Sequence, residues 1–271
     1  MPGTLYLVAT PIGNLEDITL RALKVLAEVD MVAAEDTRTA RKLLSHYGIQ
    51  AKIVSYFEHS RASRLESILS ALESGDVALI SEAGMPAVSD PGYDLVRSAW
   101  ERGFRVSPIP GASAPIAAIA ASGLPTDRFC YLGFLPRKPR ERKKLLRQVA
   151  TERATLILFE SPHRLMDTLS DLAEVLGKRR LVIAREMTKL HEEFWRGDTL
   201  TAVEQWKERE IKGEFTLVVE GAQEEIAPDV ADAMRLVSAL VDEGIPRPEA
   251  LRAAARITGV PKRTLYRLSI E

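Results

Sequence analysis

Short apolar runs alternate with amphipathic stretches through the first half of the chain. Leu5 to Ala9, Met31 to Ala34, Ile53 to Tyr56, Val77 to Ile80 and Arg105 to Ile109 read as strands. Between them, Ile18 to Val29, Thr37 to Tyr47, Ser63 to Leu72 and Tyr93 to Arg102 read as helices. Ile18, Ala22, Val25, Leu26 and Val29 form one stripe, and Leu65, Ile68, Leu69 and Leu72 another, the 3.6-residue period of a helix packed on one side. Strands separated by helices predict a parallel sheet. A small-residue helix, Pro115 to Ala121, follows Pro110-Gly111-Ala112-Ser113-Ala114, and Gly123-Leu124-Pro125 breaks the chain. This predicts a first α/β domain over residues 1–122.

The rhythm then changes. Phe129 to Phe134, Leu156 to Glu160, Arg180 to Arg185, Glu192 to Arg196 and Phe215 to Glu220 read as strands. Leu145 to Val149, Arg164 to Leu176 and Val203 to Lys207 read as helical. Three late strands with short connections predict a mixed sheet in a second domain, 123–222. Gln223 to Asp229 reads as a linker, and 230–271 as a small helical domain. There Thr258-Gly259-Val260 separates two helices in a helix-turn-helix pattern.

The 271 residues, 46% of them hydrophobic, suffice for about two domains with substantial cores. A net charge of −1 carries no global nucleic-acid signature, so any such function must sit in local patches. Two patches stand out. Arg137, Lys138, Arg140, Arg142, Lys143, Lys144 and Arg147 crowd around a single acid, Glu141. From Ile245 to Ile270, Arg247, Arg252, Arg256, Lys262, Arg263 and Arg267 stand against one acid, Glu249. Either is explained by a solvated helix face or by phosphate contact, and a basic helix-turn-helix also suits duplex DNA. The single cysteine, Cys130, excludes an internal disulfide, and His46, His59, His163 and His191 lack metal-ligand spacing, so no metal is expected. No signal peptide and no membrane span are expected, which fits a cytoplasmic protein.

The richest candidate chemistry is the loop Ser81-Glu82-Ala83-Gly84-Met85-Pro86-Ala87-Val88-Ser89-Asp90-Pro91-Gly92. It leaves the carboxyl end of a strand, where open α/β sheets bind ligands. Asp90 is expected to cap the next helix, with Pro91 in its first turn. Thr10 to Asn14 offers backbone at the same edge, but lacks the spacing of a dinucleotide or P-loop fingerprint. Glu35-Asp36-Thr37-Arg38, Glu160-Ser161-Pro162-His163-Arg164 and Arg185-Glu186-Met187-Thr188-Lys189 each end a strand. Each is either an ion-paired connection or one wall of a shared cleft.

These ordered motifs, with Ala9 to Leu15, Gly123 to Phe129, Phe134-Leu135-Pro136 and Lys212-Gly213-Glu214, resemble the tetrapyrrole methylase superfamily across essentially the whole chain. Within it they are similar to a branch that methylates the ribose 2′-hydroxyl of a cytidine in 16S rRNA. The resemblance implies a two-domain α/β tetrapyrrole-methylase-like fold, S-adenosylmethionine in the cleft, a homodimer, and the small ribosomal subunit as partner. Carried over, Pro11, Gly13, Glu82, Ala83, Gly84, Met85, Val88, Ser89, Asp90, Ser113, Ala114, Phe159, Glu160 and Gly213 would hold the cofactor. Glu35, Asp36, Glu160 and Glu186 are candidates to bind or deprotonate the hydroxyl. Arg38, Arg185 and Lys189 are candidates to steady an oxyanion or phosphate. Arg137, Lys138, Arg140, Arg142, Lys143, Lys144, Arg147, Arg252, Arg256, Lys262, Arg263 and Arg267 would hold RNA backbone. The chain departs from the family where it has Glu82-Ala83-Gly84-Met85-Pro86 for a frequent Asp-Ala-Gly-Thr-Pro, and Pro110-Gly111-Ala112 for a frequent Pro-Gly-Pro. The readings left open are a same-fold methylase for a tetrapyrrole or a protein, and a non-catalytic RNA-binding assembly factor.

Overall fold

The computed structural model describes residues 2–56, 61–223 and 230–268. His59 and most of the expected linker lie outside them. Five parallel strands form the first sheet: β1 (Thr4–Val8), β2 (Met31–Ala34), β3 (Ile53–Ser55), β4 (Val77–Ile80) and β5 (Arg105–Ile109). They stand in the order β3-β2-β4-β1-β5. β2 and β4 are buried along their whole length, which accounts for their unbroken apolar runs. Helices α1 (Leu20–Glu28) and α2 (Thr37–His46) cover one face through Ala22, Leu26, Ala40 and Leu44. Helices α3 (Arg61–Leu72) and α4 (Tyr93–Glu101) cover the other through Ile68, Leu69, Leu72, Leu95 and Ala99.

The chain leaving β1 therefore passes to one face, and the chain leaving the adjacent β4 to the other. A crevice opens where such neighbours part at their carboxyl ends. Thr10 and Gly84 clasp the two exits with a pair of backbone hydrogen bonds, 2.9 and 3.0 Å.

The second sheet has the order β6-β7-β10-β8-β9. Its strands are β6 (Phe129–Phe134), β7 (Thr155–Glu160), β8 (Arg180–Arg185), β9 (Glu193–Asp198) and β10 (Phe215–Val219). β6 and β7 are parallel and the other neighbours antiparallel, the mixed sheet expected. One face packs α7 (Leu165–Leu176), α8 (Thr199–Trp206) and Leu146 of α6 (Pro139–Gln148) around Trp195, Trp206 and Phe215. The other packs α5 (Ala114–Ser122), whose Ala118 and Ile119 meet Ile157, Val182 and Val218. The small-residue helix assigned above to the first domain thus lies on the second sheet. Both sheets belong to one compact unit, Met1–Gly221.

Two local expectations change. Asp90 does not cap α4; that position is Gly92, with no side-chain cap. α8 starts four residues before the expected Val203, because Asp198 accepts from the Leu200 and Thr201 amides at 3.0 and 2.9 Å and closes a capping box.

The second unit, Ala222–Glu271, holds α9 (Val230–Asp242), α10 (Arg247–Thr258) and α11 (Lys262–Leu268). Its core is Ala233, Val237, Ala250, Leu251, Ala254, Val260 and Leu265. Gly259, at φ +74°, ends α10 in the left-handed conformation that glycine adopts freely.

Candidate active site

Two cavities share a wall at the carboxyl edge of the first sheet. The first, about 400 Å³, lies between the Glu82–Asp90 loop, the start of α5 and the second sheet. It falls within the roughly 300–1,000 Å³ usual for small-molecule sites. Glu82, Ala83, Gly84, Met85, Val88, Ser89, Asp90, Ser113, Ala114, Phe159, Glu160 and Gly213 all line it. Pro11 and Gly13 do not; they line the second cavity, about 420 Å³, between the β1 exit and α2. Ile12, Glu82, Ala83 and Glu214 line both.

The first cavity has an aromatic wall. Tyr131 meets Phe159 edge-on at 5.4 Å, and Phe134 lies 5.5 Å from the same ring. A bulge at Tyr131/Gly133 turns β6, and the Tyr131 hydroxyl hydrogen-bonds Ser89 at 2.7 Å. Tyr131 and Phe134 were not assigned from the sequence, although their strand borders Phe159. Burial holds the Asp90 carboxyl above its usual range; Ser81 partly offsets this and the Glu82 charge adds to it.

Backbone strain is concentrated here. The described non-glycine residues at positive φ are Ala87 (67°), Ser89 (62°), Glu186 (50°) and Thr188 (65°). The first two belong to the loop after β4 and the last two to the loop after β8, and such strain marks functional loops.

Lys189 bridges Glu186 and Glu214, 2.9 Å from each carboxylate. Burial opposes its charge, but the two carboxylates raise its pKa. Burial would also raise Glu186; the Lys189 hydrogen bond, the Glu214 amide and the nearby cations leave it below its ordinary value. Lys189 is thus held as a cation between two carboxylates. It reaches the second cavity by crossing Gly13, where a Cβ would stand 2.6 Å from Lys189 Cγ.

Other expected roles are corrected. The Glu160 side chain is fully buried, takes the Thr168 hydroxyl at 2.5 Å and the Ser161 amide at 2.8 Å, and so offers no base to a substrate. Asp36 caps α2 through the Arg38 amide at 2.7 Å. The Arg38 side chain and amide bring its pKa to about 2, too low for useful proton abstraction. Arg185 donates to the Lys212 carbonyl at 2.8 Å and lies over Phe215, a structural post. Glu35, Asp36, Arg38, Arg185 and Glu186 line neither cavity. Arg38 is nevertheless exposed, and feels both Asp36 and Glu82.

The basic run on α6 divides. Arg142 is buried against Asp171 at 2.6 Å, and Lys143 pairs with Glu174 at 2.6 Å and Asp171 at 3.4 Å. Arg142 is therefore not an RNA contact: its guanidinium neutralises a buried carboxylate. Arg137, Lys138, Arg140, Lys144 and Arg147 remain exposed. In the separate tail unit, Arg252, Arg256, Lys262, Arg263 and Arg267 are exposed. Among the described residues no cluster of His, Cys, Asp and Glu is suited to a metal. No described helix is long and apolar enough to cross a membrane.

A parallel sheet and a mixed sheet, with two adjoining cavities at the carboxyl edge of the first, define a two-sheet α/β methylase fold. The chain belongs to the tetrapyrrole (corrin/porphyrin) methylases, whose family model matches residues 4–202. It is 48% identical over 272 residues to the ribosomal RNA small subunit methyltransferase I of Halalkalibacterium halodurans, covering 98% of this chain and 94% of that one. It is 49% identical over 276 residues to the protein of the same name from Synechocystis, covering 99% and 98%. A crystal structure of uroporphyrin-III-C-methyltransferase from Thermus thermophilus matches with a TM-score of 0.57 at 21% identity, over 80% of this chain and 94% of that one.

Proposed function

We propose that the protein transfers a methyl group from S-adenosylmethionine to the ribose 2′-hydroxyl of a cytidine in 16S rRNA of the small ribosomal subunit. The observation that carries this reading is the pair of adjoining cavities with a fixed cation at the second. One cavity suits a nucleoside-bearing methyl donor and the other leaves room for an acceptor. The relatives' name supplies the substrate class.

The first cavity fits S-adenosylmethionine. Phe159, Tyr131 and Phe134 offer faces and edges to a flat adenine. Ser89, Asp90 and the backbone around Gly84 offer polar contacts, and Gly84 at φ +80° lets the backbone approach closely. When bound, S-adenosylmethionine supplies a methyl group already activated on a sulfonium. The protein's task is to hold the acceptor oxygen in line and exclude competing water. Lys189, kept charged by Glu186 and Glu214, favours a developing alkoxide. Arg137, Arg140, Lys144 and Arg147, with the tail's cations, attract phosphate.

The same reading makes the protein a cytoplasmic homodimer. Exposed Tyr93, Trp100, Ile116 and Leu190 supply apolar surface for self-association, which sedimentation equilibrium tests.

Incubating the protein with methyl-labelled S-adenosylmethionine and small subunits from cells lacking it tests the substrate class. Label is expected in rRNA. Label in ribosomal protein would establish the protein-methylase reading instead. Binding of subunits with neither labelling nor S-adenosylmethionine affinity would establish an assembly factor.

A further inference from the structure

The second cavity has a chemistry of its own. Its floor is apolar, from Ile12, Leu15, Leu43 and Ile80, and Thr10, Thr39 and Ser81 add small polar groups. That mixture suits a planar heterocycle bearing a sugar. Along its α2 side the sequence Thr37-Arg38-Thr39-Ala40-Arg41-Lys42 places Arg38, Arg41 and Lys42 in solvent, and Lys42 itself lines the cavity. Phosphates entering and leaving a pocketed nucleotide need such cations. An enzyme that acts in a closed pocket can take its target nucleotide out of the stack.

The shared wall carries a second clue. Glu82 lines both cavities, is exposed, and its carboxylate accepts no hydrogen bond and forms no close ion pair among the described residues. Of the other acids lining the two cavities, Glu160 is committed to Thr168 and Ser161 and Glu214 to Lys189, while Asp90 lines only the first cavity, where burial and Ser81 hold it.

We propose that the second cavity seats the acceptor ribonucleotide, extruded from its helix, with flanking phosphates on Arg38, Arg41 and Lys42, and that Glu82 accepts the proton of its 2′-hydroxyl. This rests on the methyl-transfer reading above. In the step, the O–H bond breaks and its proton passes to the Glu82 carboxylate, then to water. The oxygen's electron pair forms the new bond to the methyl carbon. The S–CH₃ bond breaks, and its pair stays on sulfur as a neutral thioether. Lys189 offsets the oxygen's transient charge. Glu82 is thereby moved from the cofactor's contacts to the proton's path.

Two variants test the proposal, each read by S-adenosylmethionine affinity in calorimetry and by single-turnover methyl transfer to unmethylated small subunits. Thr39→Trp fills the second cavity from the exposed face of α2, away from the first. It should leave the affinity within threefold of wild type and raise the half-saturating subunit concentration, or abolish transfer. Glu82→Gln should keep the affinity within threefold and slow transfer by about 10²–10⁴-fold. Transfer by either variant within threefold of wild type overturns the proposal. So does a tenfold or greater loss of S-adenosylmethionine affinity in Glu82→Gln, which would return Glu82 to the cofactor. Failure of the wild type itself to methylate RNA overturns the underlying reading instead, a distinguishable result.

Discussion

Lys189 lies across Gly13: a Cβ added to the glycine would stand 2.6 Å from Lys189 Cγ and 2.9 Å from Thr188 Oγ1. Gly13 follows the first strand of the parallel sheet and Lys189 follows β8 of the mixed one. The glycine's use here is space, not unusual dihedrals, and it lets the loops of the two sheets touch beside the second cavity. Gly13→Ala should displace the Lys189 stem and cost about 1–3 kcal/mol of stability, as overpacking does. Single-turnover transfer should fall further than the loss of folded protein explains. Denaturant titration beside transfer kinetics checks this; equal losses in both would make Gly13 a packing residue only.

Arg142 and Asp171 form a buried ion pair at 2.6 Å. Removing one partner strands the other's charge, so Arg142→Ala should destabilise the fold by about 3–5 kcal/mol. Arg142→Met combined with Asp171→Leu should recover most of that, with RNA methylation intact. Urea denaturation of the single and double variants provides the comparison. A double variant that folds but no longer binds subunits would restore Arg142 as an RNA contact.

The exposed cations of α6 should act through phosphate. Arg140→Glu with Lys144→Glu should weaken subunit binding and flatten its dependence on salt, since fewer counterions are released. Lys143→Glu faces Glu174 and Asp171, so its effect should appear chiefly as lost stability. Filter binding across a salt series separates these outcomes.

Asp36 gives a pH signature. Its folded pKa is about 2, below the usual carboxylate value. A depressed pKa contributes stability above the unfolded value, and that contribution disappears as pH falls through the folded value. Wild type should therefore be more stable than Asp36→Ala above about pH 4. The gap should narrow as the pH falls toward 2. Thermal melts of both proteins between pH 2 and 7 check the sign; a gap that widened toward acid would contradict it.

The strands were legible because burial on both faces leaves unbroken apolar runs, as at Met31–Ala34 and Val77–Ile80. The long loop after β4 stood out through its glycines, prolines and acids, and it lines the first cavity. What escaped depends on residues distant in sequence. Arg142 sits one helical turn before Leu146, on the face turned to α7, but its partner Asp171 lies 29 residues on. A cation in a basic run looks solvated until that partner is placed. Glu160, at a strand end, looks like a free acid until Thr168 closes over it. Asp90 precedes a helix without capping it, because the loop turns once more through Gly92. The packing of α5 on the second sheet was hidden because Ala and Ile suit either sheet.

Phe159 anchors the aromatic wall. Phe159→Ala removes the ring offered to adenine, a contact of a kind worth about 0.5–1.5 kcal/mol, and should weaken S-adenosylmethionine binding about two- to tenfold. Calorimetry checks this, and an unchanged affinity would remove the cofactor from that cavity.

The central claim is chemical: the methyl group goes to a ribose oxygen of cytidine. Its most direct test uses small subunits from cells lacking the protein, treated with the purified protein and methyl-labelled S-adenosylmethionine, then digested to nucleosides for mass spectrometry. Labelled 2′-O-methylcytidine is the predicted product. Label on a base, or on a nucleoside other than cytidine, would contradict the account.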